Sequence, residues 1–215
     1  MGINLSSTEP VTNNLGAPAP APTPAPAPGF SLNLTKGTTL DLTKRNPGLS
    51  KINVGVGWDV TVSGPEFDLD VSAFLLKGNG KISSGNDVVF FNNKVQPGIS
   101  LLGDNRTGAG EGDDETITVD LSQVAPDVSK IVFCVNIYDA VNRRQTFGMI
   151  NNSYIRLLDA ANGDKELCIF QLRDSFSTET AVVFAELVRN GSEWDFKALG
   201  DGKQADLNGL AALFQ

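Results

Sequence analysis

The sequence predicts an all-β protein, an antiparallel β-sandwich of about ten strands with a short C-terminal helix. Two observations support this fold class: short segments alternate apolar and polar residues with period two, and turn residues separate these segments. A third is that helical periodicity is confined to the end of the chain. With 215 residues, 40% of them hydrophobic, the chain is long enough for one sizeable core.

The predicted strands are 4 to 11 residues long. They cover residues 31–35, 38–43, 52–62, 67–76, 88–91, 116–121, 130–138, 154–158, 166–172, 180–188 and 193–199. Asn162-Gly163 and Asn190-Gly191 are predicted as hairpin turns in which both central residues have positive φ. The helix is predicted over residues 205–214, where Leu207, Leu210, Ala211 and Phe214 share one face.

The N-terminal segment, residues 1–29, is predicted to be a disordered tail or tether rather than part of the folded domain. It contains the run APAPAPTPAPAP, and alternating Ala and Pro favours an extended polyproline II spacer. The folded domain is therefore predicted to span residues 30–215.

Charge and composition exclude several functions. The formal net charge of −8 disfavours nucleic acid and anionic lipid as partners but suits cations. No apolar run approaches the roughly 20 residues of a membrane-spanning helix. The chain has no histidine, which excludes Ser-His-Asp and Cys-His catalysis and His-ligated zinc. Cys134 and Cys168 lie in apolar runs and are expected to be reduced and buried, as in a cytoplasmic protein.

An acidic loop over residues 103–115, GDNRTGAGEGDDE, is the leading candidate for a functional site. Its five carboxylates repel one another unless a cation lies between them, and calcium takes 6–8 oxygen ligands in such loops. A solvated acidic turn is the alternative. In FDLD, Asp68 and Asp70 are expected to project from the same face of a strand, and Asn92 follows another strand. The sequence therefore predicts that these three segments meet at a calcium site.

Other loop motifs do not fit. An EF-hand loop beginning at Asp104 would place Arg106 at its third position and Ala109 where glycine is required. The spacing of Gly108, Gly110 and Gly112 differs from a dinucleotide fingerprint, and no helix follows.

Several long motifs resemble the TerD family of tellurium-resistance and stress-response proteins. They are GWDVTVSGPEFDLDVSAFLL, DVVFFNN, the acidic loop and RQTFGMINNSYIRLLD, in that order, and the resemblance covers roughly residues 30–215. It implies a cytosolic β-sandwich that binds two calcium ions. The metal ligands it implies are Asp68, Asp70, Asn92, Asp104, Asn105, Thr107, Gly110, Asp113, Asp114 and Glu115.

The expected function is a non-enzymatic, calcium-dependent binding or scaffold module, with other Ter proteins or a membrane-associated complex as partners implied by the resemblance. Two alternatives stay open. One is a metal-dependent hydrolase that uses the acidic cluster. The other is an interaction module tethered to a membrane-associated assembly. No catalytic residue is assigned.

Overall fold

The structure, a computed structural model, describes residues 36–59, 66–103, 112–172 and 176–215, together with the backbone of a short strand at residues 32–33. The described strands form two sheets, one of seven strands and one of six. Neighbouring strands are antiparallel except at one edge of the seven-stranded sheet, where the strand at residues 32–33 runs parallel to its neighbour. This arrangement confirms the predicted all-β antiparallel fold.

The seven-stranded sheet has the order β1-β11-β10-β3-β8-β7-β6. Its strands are β1 (Leu32–Asn33), β3 (Lys51–Gly57), β6 (Val95–Gln96), β7 (Ile99–Leu102), β8 (Glu115–Asp120), β10 (Tyr154–Asp159) and β11 (Lys165–Gln171). The six-stranded sheet has the order β2-β13-β12-β9-β4-β5. Its strands are β2 (Thr39–Asp41), β4 (Leu69–Lys77), β5 (Val88–Val89), β9 (Val128–Ile137), β12 (Ala181–Asn190) and β13 (Glu193–Lys203).

The described helices are short. They are α1 (Leu42–Arg45), α2 (Ala140–Arg143) and α3 (Leu207–Ala212), with single 3-10 turns at Gly85–Asp87, Phe147–Met149 and Ala160–Asn162. Helix α3 confirms the predicted C-terminal helix, and the Asp206 carboxylate caps it by accepting a hydrogen bond from the Gly209 amide at 2.8 Å.

Four local predictions needed correction. Strands β6 and β7 were not predicted, because strands of two and four residues are too short to show a clear alternation of apolar and polar residues. The predicted strand at 38–43 ends in α1, whose first carbonyl, at Leu42, accepts from the Asn46 side chain at 2.9 Å. At the predicted turn Asn162-Gly163, the left-handed residues are Gly163 and Asp164, after a 3-10 turn. The second hairpin turns at residues 191–192, and only its glycine, Gly191, has positive φ.

The main core lies between the two sheets. Alternate residues of the longer strands enter it, including Val54 and Val56 from β3, Leu69 and Val71 from β4 and Ile117 from β8. Buried Trp194 and a chain of phenylalanine rings, Phe170, Phe184 and Phe196, fill it further toward β13. This packing fixes the faces of β4 and β8 and thereby the side chains at their ends.

A second apolar cluster covers the outer face of the six-stranded sheet. Phe74, Cys134 and Val183 lie on this face, and Leu210 of α3, with no exposed surface, packs over them. The ring of Phe214 lies 5.0 Å from that of Phe74. We call this surface, with its α3 cover, the apolar face.

Candidate metal centre

The start of β4 carries the two aspartates that the sequence singled out. Leu69 and Val71 point into the core, so Asp70 between them faces outward, opposite Asn136 of β9. The Asn136 Nδ2 donates to Asp70 Oδ2 at 3.4 Å. The carbonyl of Asp68 accepts from the Tyr138 amide at 2.8 Å, which ties this end of β4 to the end of β9. Both aspartates are only 6% exposed.

Glu115 joins the two sheets at the same place. It is the first residue of β8 in the seven-stranded sheet and is 1% exposed. Its Oε2 accepts a hydrogen bond at 2.7 Å from the amide of Val71 in the six-stranded sheet. Since Val71 follows Asp70 directly, the predicted convergence of the acidic loop's end with FDLD is present in the described residues.

Asp114 lies beside these groups, against β3. Its amide donates to the Val56 carbonyl at 2.8 Å, and its Oδ2 accepts from the Trp58 amide at 2.9 Å. Partial burial raises the pKa of Asp114, and the charges of Asp113 and Asp59 raise it further, against the lowering effect of the Trp58 hydrogen bond. Negative charge is therefore crowded at this end of the sandwich.

Asp113 has a different environment. Its Oδ1 accepts from Arg156 Nε at 2.7 Å and from the Tyr154 hydroxyl at 3.1 Å, both on β10. Its carboxylate lies over Gly55, where an added Cβ would come within 2.0 Å of Oδ2. Burial and the negative charge of Asp113 raise the pKa of the Tyr154 hydroxyl. These contacts place Asp113 on the outer face of the seven-stranded sheet, and its metal-ligand role stays a prediction.

Asn92 lies in the turn between Phe90 and Asn93 and is exposed. Its neighbour Asn93 holds this turn, since its Nδ2 donates to the Val88 carbonyl at 2.7 Å. Asn92 also stays a prediction as a ligand.

The remaining predicted ligands, Asp104, Asn105, Thr107 and Gly110, lie outside the described residues. Gly103 and Gly112 on either side of them have φ of +82° and +96°, conformations that favour glycine. Within the described ranges, no group of three or more Asp, Glu, Cys or His side chains has the spacing of a metal site. The metal-ligand roles of Asp104, Asn105, Thr107 and Gly110 therefore stay predictions.

Asn136 is the residue at this site that sequence reasoning missed. Its signal was a single amide in the apolar run IVFCVNIY of β9. Only the register of β4 with β9 shows that this amide lies opposite Asp70.

Burial of both cysteines is confirmed: Cys134 and Cys168 are free thiols without exposed surface. Burial raises the pKa of Cys168 to about 12 and raises that of Cys134 further still. No helix in the described ranges is long and apolar enough to cross a membrane.

A family model of the TerD domain matches residues 30–214. The chain belongs to the TerD family. This confirms the resemblance seen in the sequence motifs.

Related TerD-family proteins have names from stress response and tellurium resistance. The chain is 45% identical over 186 residues to General stress protein 16U of Bacillus subtilis (strain 168), covering 85% of this chain and 96% of that protein. It is 42% identical over 188 residues to Tellurium resistance protein TerD of Serratia marcescens, covering 86% of this chain and 97% of that one. These names are not those of enzymes.

A solved structure supports the same assignment. A homologue of telluride resistance protein (TerD) from Streptomyces coelicolor A3(2) superposes with a TM-score of 0.65 at 26% identity. The match covers 76% of this chain and 96% of that one. The chain is therefore a TerD-family member of the tellurium-resistance and stress-response group in both sequence and fold.

Proposed function

We propose that this TerD-family protein is a calcium-binding module whose ions are held where β4 and β8 meet. The ligands are Asp68, Asp70, Asp114 and Glu115, completed by the acidic loop through Asp104, Asn105, Thr107 and Gly110. The observation that supports the proposal is that Glu115, 1% exposed, joins the two sheets by accepting from the amide of Val71, directly after the 6% exposed Asp70. Carboxylates are costly to bury, and a divalent cation offsets their repulsion.

The donor set fits calcium in its chemistry. Every proposed ligand offers oxygen, which hard cations prefer, and the chain has no histidine that would favour zinc or copper. A bound ion would supply positive charge to the crowded acids. Two ions, as the resemblance implies, would share this set of carboxylates.

The proposed role is a calcium-dependent, non-enzymatic binding or scaffold module in the cytoplasm. Its partners would be other Ter-type proteins or a membrane-associated complex. An ion that links both sheets through β4 and β8 would stiffen the surface around Asp70, and this gives calcium a route to control partner binding.

Calcium titration of protein stripped with EDTA tests the proposal. Thermal unfolding should shift upward with calcium, by a free energy of about 2.7 kcal/mol when calcium is 100-fold above its dissociation constant. Asp70→Asn and Glu115→Gln should each reduce that gain. Asp87→Asn is the matched control, since Asp87 is an acid engaged with Lys77 and the amide of Ser83, away from β8. An unchanged unfolding temperature across the titration would refute calcium binding.

A further inference from the structure

A cleft of about 410 Å³ opens on the six-stranded sheet beside the apolar face, between the end of β9 and the start of α3. Asp70 and Asn136 line it, and the Phe91 ring and the side chains of Val141 and Leu207 form apolar parts of its wall. Its volume is in the range of sites that accept a small ligand or a single side chain.

An unused acceptor lies at this cleft. Asn136 is 3% exposed and donates its Nδ2 to Asp70, while its Oδ1 is buried and accepts no hydrogen bond within the described part of the chain. A buried carbonyl oxygen without a donor costs free energy, and most such groups in proteins have a partner. A ligand donor that enters the cleft would supply one.

The charge of the cleft indicates which kind of hydrogen-bond donor it attracts. Its lining contains three aspartates, Asp70, Asp139 and Asp206, and none of the described lining residues is a lysine or arginine. At the rim, the guanidinium of Arg143 lies over the ring of Tyr138, 5.3 Å from its centre, and is not part of the lining. The cleft therefore attracts a cation with hydrogen-bond donors.

The shape of the acceptors favours an ammonium group over a guanidinium. An ammonium group points three donors at separate acceptors, whereas a guanidinium prefers the two oxygens of one carboxylate side by side. Here one oxygen of Asp70 already accepts from Asn136. The rim exposes apolar surface, with Val141 81% and Tyr138 43% exposed, which suits the residues on either side of an inserted lysine.

We propose that this cleft binds a lysine side chain of a partner protein, with the ammonium group donating to Asn136 Oδ1 and to the aspartates. The site needs no bound ion, although Asp70 is shared with the calcium proposal. Failure of calcium binding and failure of lysine binding are therefore separate results, and each measurement below is made with EDTA and with added calcium.

The test uses the full chain and the peptide acetyl-Ala-Leu-Lys-Leu-Ala-amide, with the same peptide carrying acetyl-lysine as its control. Binding is followed by NMR titration of the ¹⁵N-labelled protein and by calorimetry. The lysine peptide should shift the side-chain amide of Asn136 and the backbone amides of Tyr138 and Val141. Acetylation should weaken binding about tenfold or more, because it removes the charge-assisted hydrogen bonds.

Variants of the protein locate the site. Asp139 has φ of 52° and Asp206 caps α3, and asparagine tolerates both positions, so D139N with D206N removes charge without changing the backbone. This double variant should bind the lysine peptide about fivefold more weakly. D201N, which removes an exposed acid paired with Lys36 elsewhere on the protein, should bind normally.

Asn136→Leu removes the unused oxygen and should abolish binding of the lysine peptide. If N136L does not fold, the double variant alone decides. Absence of binding in both metal conditions, or equal binding of the two peptides, would overturn the proposal. Binding of 1,5-diaminopentane as tight as that of the peptide would overturn the partner-protein source, because a free amine lacks the flanking residues that the rim would contact.

Discussion

The two outer faces of the sandwich are stabilised by different kinds of contact. The apolar face continues the hydrophobic pattern of β4, β9 and β12 outward and is buried under α3. The outer face of the seven-stranded sheet, here called the polar face, carries Asn53, Thr118 and Arg156 instead. The first face gains stability from burial of apolar area, and the second from hydrogen bonds and ion pairs between neighbouring strands.

The polar face is a connected network. Thr118 Oγ1 donates to Asn53 Oδ1 at 2.8 Å, and Asn53 Nδ2 donates to Asp164 at 2.8 Å. Arg156 pairs with Asp113 at 2.7 Å and with Glu166 at 3.6 Å. Residues of the acidic loop's end thus contact both sheets, Asp113 on the polar face of the seven-stranded sheet and Glu115 at β4 of the six-stranded sheet. The difference shows that neighbouring acids of one motif can have quite different partners, an arginine for Asp113 and a backbone amide for Glu115.

The largest effect is expected on the apolar face. Leu210→Ala should lower the free energy of unfolding by about 2–5 kcal/mol, because it empties a fully buried position between α3 and the sheet. Urea denaturation followed by tryptophan fluorescence measures this loss. Leu213→Ala is the matched control one turn later, where the side chain is 51% exposed, and it should change stability by less than about 0.5 kcal/mol. Equal losses in the two variants would mean that α3 does not seal the apolar face.

A smaller effect is expected where the polar face makes room for Asp113. Gly55→Ala adds a Cβ that would meet the Asp113 carboxylate, so the carboxylate must move away from Arg156. The expected cost is about 1–3 kcal/mol by urea denaturation. Gly78→Ala is the control, since nothing lies within 4 Å of its added Cβ.

A double-mutant cycle sharpens the result for Gly55. In an Asp113→Ala background, Gly55→Ala should cost less, because the clashing carboxylate is gone. If the free-energy costs of Gly55→Ala and Asp113→Ala simply add, glycine is needed at position 55 for the geometry of the strand and not to make room for the carboxylate.

Sequence patterns predicted the fold because they report burial. The run VSAFLL of β4 is apolar on both faces, and this continuous burial reflects the α3 cover as well as the core. The same patterns could not predict that Asp113, Asp114 and Glu115 have different contacts. The position of Asp113 depends on Gly55 and Arg156, which lie more than 40 residues away in either direction along the chain. Asn136 was hidden for the same reason, because strand register sets its place.

The smallest expected change in stability is at the adjacent acids Asp113 and Asp114, where the two substitutions should act in opposite directions. Asp113→Asn should destabilise the EDTA-treated protein by about 1–2 kcal/mol, because it leaves the half-buried Arg156 without the charge of its closest partner. Asp114→Asn should instead stabilise the EDTA-treated protein, because it keeps an oxygen for the Trp58 amide and removes a charge that the fold disfavours.

The pH dependence separates these two roles. The folded-state pKa of Asp114 is raised, so the folded protein binds more protons than the unfolded chain, and stability falls as pH rises from the ordinary aspartate pKa of 3.8 through the raised value. Asp114→Asn should flatten this fall in EDTA, measured as unfolding temperature between pH 4 and pH 7. With calcium present the same variant should instead lose stability relative to the native chain, since it removes a proposed ligand. If it gains stability equally with and without calcium, Asp114 is not a ligand, and its raised pKa reflects burial and acid crowding alone.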